Sequence, residues 1–417
     1  MRFFRFQLRS WLVCLVCLGA LQGCAGIAVV DSNWSVHQHA QADASMSIRT
    51  LGSDGRFSQL PAKTVAEELR ARHAGEALDI LALSGGGAAS EFGAGAVAGL
   101  TLSGSRPDFA VVTGVSGGAL VAPYAFLGPM WDGRLLDALN SATGEKLLQS
   151  RGLGAIFGSS LYSGTPLKRL VDAHVTNAMI QAVAREADKG RLLLVATTDV
   201  VTGEPVMWDM GSIARNGGPH ARTLFRDVLL ASASVPGMFP PVIIRVSENG
   251  APYDEAHVDG VAAVPFFVPA AFLQMPSGAL GSTNRTTVYV IIDGHLQEAA
   301  RTTRLTARAI LSRSIDAELS HMTLTTLELT AATAQLQGAT LFYSAVAAGY
   351  PLLDSFDFSA DAIQPLIHYA YKCAQARRLW TVFGRTEDSS QISPGTPRTQ
   401  QVPCPADDAA IGYFASR

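Results

Sequence analysis

The stretch Phe109–Phe126, FAVVTGVSGGALVAPYAF, reads as a buried strand, a tight turn and a helix in immediate succession. FAVVT is an unbroken run of strand length, and ALVAPYAF beyond the glycines supplies the helix. Between them Gly114-Val115-Ser116-Gly117-Gly118 matches Gly-x-Ser-x-Gly. So short a motif is weak alone, but its setting is the one a nucleophile elbow requires. The turn forces its serine into a strained backbone conformation, and side chains beside it would clash, so glycines flank it. Gly117 and Gly118 leave N–H groups free to face a substrate oxygen. The helix that starts there adds a dipole favourable to an anion at the serine.

An acyl-transfer serine needs a base and an oxyanion hole as well. The preceding strand unit, LALSGGGAASEFGAGAVAGL (Leu81–Leu100), supplies a candidate for the second. Gly85, Gly86 and Gly87 follow an apolar strand, where open α/β sheets place their sites. Their bare backbone can offer adjacent N–H donors to a developing negative charge. Phosphate binding is the competing reading. A P-loop needs Gly-Lys-Ser/Thr, and no lysine lies between Leu78 and Leu100. A dinucleotide fingerprint needs a third glycine where Ser90 stands, and an acidic residue after the next strand, which here runs into the serine turn.

The same alternation continues outward. RLLLVATTDVVTGEPVMWDM is strand, turn and strand. FRDVLLASASVPGMFPPVII is a helix broken at Pro236, then a strand. HVDGVAAVP is a strand ending in Asp-Gly, and TTVYVIIDG is a further buried strand. One or two long helices follow over 298–338, and SADAIQPLIHYAYKCAQARRLW is another amphipathic helix. Apolar strands alternating with helices predict an α/β fold, with a central mostly parallel sheet flanked by helices and a helical C-terminal part.

The ends differ in character. Arg2, Arg5 and Arg9 precede the short apolar run WLVCLVCLGA, and Leu21-Gln22-Gly23-Cys24 follows, the order of a secretory signal. The ending resembles a bacterial lipobox, with Cys24 the lipidated residue, although Gln22 is atypical there. An uncleaved membrane anchor, or a signal cut elsewhere, is the alternative. The predicted division is a signal over 1–23, an exposed polar lead-in over 24–76 with one helical piece at Thr64–His73, a catalytic domain over 77–385 and an irregular tail over 386–417. Loss of residues 1–23 takes the net charge from −3 to −6, so bulk electrostatics give no reason to expect nucleic acid as a partner. No zinc-type Cys or His spacing occurs. Cys373 and Cys404 either pair in an oxidising compartment or stay as two thiols.

SGGGAASEFGAG, GVSGG, ATTDVVTG, ASASVPGMFPPV and HVDGV occur in the order seen in patatin-like phospholipases. FDFSADAIQPLIHYAYKCAQARRLW resembles that family's closing helix. The resemblance implies the family's three-layer fold and a Ser–Asp dyad: Ser116 as nucleophile, Asp259 of Asp259-Gly260 as base, and Gly85, Gly86, Gly87 and Gly117 around the oxyanion. It implies hydrolysis of lipid acyl esters with no metal or cofactor. With the Cys24 anchor, it implies a lipoprotein on a bacterial envelope membrane, beside its own substrate. The family usually follows the glycine loop with a basic residue and then glycine; here Ala89 and Ser90 stand there, which puts the strength of the activity in doubt.

Other residues compete for the role of base. Asp293-Gly294 also ends a buried strand. Asp199 reads most simply as a turn residue. His257 would share a strand face with Asp259, so a serine esterase using His257 or His295 is an alternative, as is a non-catalytic envelope lipid-binding or scaffold protein on the same fold. Met238 and Phe239 either line an acyl pocket or are plain core.

Overall fold

The computed structural model describes residues 47–52, 56–144, 147–152, 159–248, 251–274, 285–296, 305–348, 350–351, 357–383 and 404–405. The expected signal and Cys24 lie outside these residues. Eleven strands are assigned among them: β1 Ser47–Leu51, β2 Phe57–Pro61, β3 Leu78–Leu83, β4 Val111–Val115, β5 Leu192–Asp199, β6 Pro205–Asp209, β7 Val242–Glu248, β8 Ala251–Asp259, β9 Thr286–Ile292, β10 Thr340–Ala345 and β11 Thr381–Val382. They form one sheet in the order β11-β10-β9-β3-β4-β5-β6-β1-β2, with the β7–β8 hairpin attached to β5 through β8. The central five strands, β10-β9-β3-β4-β5, run parallel, and the antiparallel pairings lie outside them.

The near-continuous apolar runs are explained by cover on both faces. Along β3, Leu81 and Leu83 belong to one core, and Ile80 and Ala82 to the other. Along β5, Leu193 and Val195 face the first core, and Leu194 and Ala196 the second. Helices Gly117–Leu127, Gly218–Ser232 and Ala360–Gln375 supply the first core; Ala62–Arg72 and Ala307–Leu336 supply the second. This is the α/β architecture expected from the alternation.

The lead-in predicted over 24–76 requires a correction from residue 47 onward. β1 pairs in parallel with β6 and antiparallel with β2, so both strands belong to the sheet. Ile48 and Leu51 are buried, and the helix after β2 buries Val65, Ala66 and Leu69. The segment reads as surface because its one charged strand residue, Arg49, is buried against Glu255, 206 residues away. Local polarity carries no trace of so distant a partner.

One strand lies beyond the expected pattern, and of the two alternatives for the C-terminal cysteines the structure has the paired one. TLFYSA, after the long helix, is β10. Cys373, on the helix Ala360–Gln375, is disulfide-bonded to Cys404, which ties part of the 386–417 tail to the helical layer. Among the described residues, no helix is long and apolar enough to cross a membrane.

Candidate active site

β3, β4 and β5 are parallel neighbours, so their C-terminal ends lie on one edge of the sheet. The glycine loop leaves β3 there, and Ser116 leaves β4 there. β8 runs antiparallel to β5, with Asp259 opposite Thr197, which brings the end of β8 to the same edge. Three segments far apart in sequence thus converge where α/β sheets place their ligands.

Ser116 has φ 54° and ψ −128°, a left-handed conformation that only one other described non-glycine residue, Arg377, shares in sign. Such strain persists only where surroundings over-determine it. Its N–H donates to the Ser232 hydroxyl at 3.0 Å, and that hydroxyl donates to the Ala196 carbonyl at 2.7 Å. Gly118 packs against the end of β3, and a Cβ there would stand 2.4 Å from the Ser84 carbonyl oxygen. The helix cannot approach the strand so closely with any larger residue.

The Ser116 hydroxyl donates to Asp259 Oδ2 at 2.7 Å. The other carboxylate oxygen accepts the Val261 N–H at 2.9 Å. Backbone bonds hold the aspartate on both sides: its N–H donates to Ser234 O at 2.9 Å, and Thr198 Oγ1 donates to its carbonyl at 2.9 Å. Asp259 is fully buried, and burial pushes its carboxyl up to about 7 against the opposing pull of the Ser116 and Val261 hydrogen bonds. A carboxylate poised near neutrality is suited to accept a proton.

The glycine loop divides its labour. Gly85 was expected to offer its N–H to an oxyanion, but that N–H donates to Pro265 O at 2.9 Å. Gly85 contributes space instead: a Cβ there would collide with Val261 Cγ2 at 2.2 Å and crowd Ser116 Cβ at 3.0 Å. Among the described residues, no protein acceptor takes the N–H groups of Gly86, Gly87 and Gly117. Gly87 and Gly117 line a cavity with Ser116.

That cavity encloses about 1040 Å³ of atom-free space, part of it open to solvent. Beyond Ser116 its walls are mostly apolar, with Leu120, Leu139, Leu167, Met179 and Phe239 among them. Phe239 therefore lines the cavity, while Met238 packs half-buried on the core. Tyr124 lines the cavity too, whereas Phe126 and Trp131 are core aromatics.

The rival residues lie elsewhere. Asp293 is buried and accepts the Gly93 N–H at 2.8 Å, at the start of the helix behind the glycine loop. Burial, reinforced by Glu91, raises its carboxyl well above the usual range. Asp199 Oδ1 closes a turn by accepting the Val201 and Thr202 N–H groups. His257 shares a strand face with Asp259 but spends both ring nitrogens away from Ser116, on Thr197 Oγ1 at 3.0 Å and Glu255 Oε2 at 2.9 Å. The His295 carbonyl accepts the Ser320 hydroxyl at 3.1 Å. Asp199, Glu255 and His257 place ligand-type atoms within 4.8 Å of one another. The donor set does not fit a dication, because Arg49 already neutralises Glu255 and the imidazole is bonded at both nitrogens.

Sequence reasoning missed three contributors. Ser232 accepts the Ser116 N–H through its hydroxyl, and Ser234 accepts the Asp259 N–H through its backbone carbonyl, so only the first depends on the side chain. Glu91 stands on the cavity wall, where burial pushes it up to about 8.

Residues 81–271 match the family model for patatin-like phospholipases. They are a patatin-like phospholipase domain. The match begins within β3 and runs past Asp259, so it takes in the glycine loop, the serine turn and the Asp-Gly pair. No match to a curated protein was found. Among solved structures, VipD from Legionella pneumophila is similar at 12% identity over 81% of this chain and 71% of its own, with a TM-score of 0.30, a likeness too loose to argue from. A patatin-like phospholipase domain indicates a lipid acyl hydrolase.

Proposed function

We propose that the chain hydrolyses lipid acyl esters through a Ser116–Asp259 dyad. The observation that carries this reading is the 2.7 Å hydrogen bond from a strained serine to a buried carboxylate raised to about 7. Ser116 Oγ attacks the ester carbonyl and passes its proton to Asp259. The carbonyl oxygen becomes an oxyanion facing the unpaired N–H groups of Gly87 and Gly117, where fixed dipoles stabilise it without reorganisation. Collapse of the intermediate expels the alcohol, which takes the proton from Asp259. Water, deprotonated by Asp259, then attacks the acyl-enzyme; the second tetrahedral intermediate collapses to release the carboxylic acid, and Asp259 returns the proton to the departing Ser116 Oγ. The apolar cavity beyond the serine suits an acyl chain. Cys24, as a lipidated residue on a bacterial envelope membrane, would hold the domain at a lipid surface; two or more acyl chains anchor stably where one does not.

The test uses purified chain on nitrophenyl esters of increasing chain length and on phospholipid vesicles. Hydrolysis that Ser116→Ala and Asp259→Asn each abolish is expected. Undiminished hydrolysis by Ser116→Ala would sink the dyad. Mass spectrometry of membrane-extracted protein tests acylation at Cys24, and an intact residue 1–23 segment would exclude it.

A further inference from the structure

The departure of the glycine loop from its family pattern has a counterpart in space. Ser90 is buried, with 4% of its surface exposed, yet its hydroxyl has no hydrogen-bond partner. It lines the same cavity as Ser116, Gly87 and Gly117. A Cβ built on Gly117 would stand 2.0 Å from Ser90 Oγ, so the hydroxyl occupies the space left by the missing side chain of the residue after the nucleophile. A buried hydroxyl left without a partner is costly and calls for an explanation, of which a catalytic role is one.

We propose that the Ser90 hydroxyl donates to the oxyanion formed at Ser116, a side-chain donor added to the backbone N–H groups of Gly87 and Gly117. The inference rests on the acyl-hydrolase reading above. A ligand oxygen that reaches the two unpaired N–H groups meets this hydroxyl beside Gly117. Unlike a backbone amide, the hydroxyl turns about its own bond, so it follows the oxygen from planar carbonyl to tetrahedral anion. Its neighbour Glu91 does not oppose the charge: burial pushes that carboxyl up to about 8, which keeps it neutral at pH 7. The ligand class is the tetrahedral intermediate of an ester, and hydroxyl donation would offset the absent basic residue at position 89.

Full-length wild-type and Ser90→Ala chains would be compared by kcat and KM on one ester. Inhibition by the matching trifluoromethyl ketone, which captures Ser116 Oγ as a hemiketal while Asp259 takes the proton, and binding of the matching ether, which has no carbonyl, complete the set. A fall in kcat on the order of 10²-fold is expected, with a matching loss of ketone affinity and ether binding within about twofold. A kcat within about threefold of wild type overturns the role of Ser90. So does an equal loss on the ether, which would make Ser90 a packing residue of the acyl path. Failure of the underlying reading looks different: the wild-type chain itself would neither hydrolyse the ester nor take a fluorophosphonate label at Ser116.

Discussion

Glu255 and Asp259 stand four residues apart on β8, on one face of the strand and both buried, yet their surroundings drive them in opposite directions. Burial alone would raise Glu255, but the His257 hydrogen bond and the Arg49 guanidinium outweigh it and hold the carboxyl down at about 2. Among the described residues, no cation faces Asp259. Burial dominates and leaves it at about 7, bonded only to Ser116 and to one backbone N–H. The network around Glu255 is closed: Arg49 pairs with both carboxylate oxygens, and Thr197 joins His257 to the Trp208 indole. A carboxylate fully supplied with partners is committed to the fold. One starved of charge compensation keeps a proton affinity that chemistry can use.

The largest effects should separate the two groups outright. Asp259→Asn is expected to cut kcat/KM on the order of 10³-fold or more, with denaturant unfolding near wild type or improved, because it removes a poorly solvated acid. Arg49→Met should do the reverse. Removing one partner of a buried pair strands the other and costs about 3–5 kcal/mol, while the kcat of the folded fraction stays within a few-fold. A stable but inactive Arg49→Met chain would erase the distinction between the groups.

Titration sharpens the contrast. Asp259 must be ionised to accept the serine proton, so kcat/KM should rise with pH and level off above about 7. Stability should move the other way. Asp259 and Glu91 bind protons more tightly folded than unfolded, so the stability they add is complete at acid pH, declines as pH climbs from the ordinary carboxylate range, and is gone above about 8. Glu255 is depressed, so its contribution holds above its ordinary value and is lost as pH falls toward about 2. Denaturant midpoints from pH 3 to pH 9 would trace both limbs. The smallest effect is expected from Glu91→Gln, which should flatten the alkaline limb by about 1.4 kcal/mol per pH unit at most and leave the activity midpoint near 7. A midpoint that moved with Glu91 would assign the kinetic titration to the wrong carboxyl.

Much of the fold was legible in the sequence because its signals are local. β3, the helix Glu91–Leu102, β4 and β9 fall where apolar runs and glycine turns predict them. The pairing of Ser116 with Asp259 was legible only through the family resemblance, since the two lie 143 residues apart. What escaped depends on distant partners. Arg49 looks like surface until Glu255 is placed beside it. Gly85 looks like an oxyanion donor until Pro265 takes its N–H. Ser90 looks like a lost glycine until Gly117 is seen to leave room for its hydroxyl.

The position of β9 bears on how the site comes into being during synthesis. β9 is the second neighbour of β3, and Asp293 just after it takes the Gly93 N–H from 200 residues downstream. The family-matched segment ends at residue 271, before β9 begins. A nascent chain that stops there holds nucleophile, base and glycine loop, but β3 still presents an open edge, a template for wrong pairing. Long-range parallel pairing is the slow part of such topologies. The glycine loop is thus made early and braced late, and ribosome-bound chains ending before residue 286 should resist fluorophosphonate labelling where chains extended past β10 accept it.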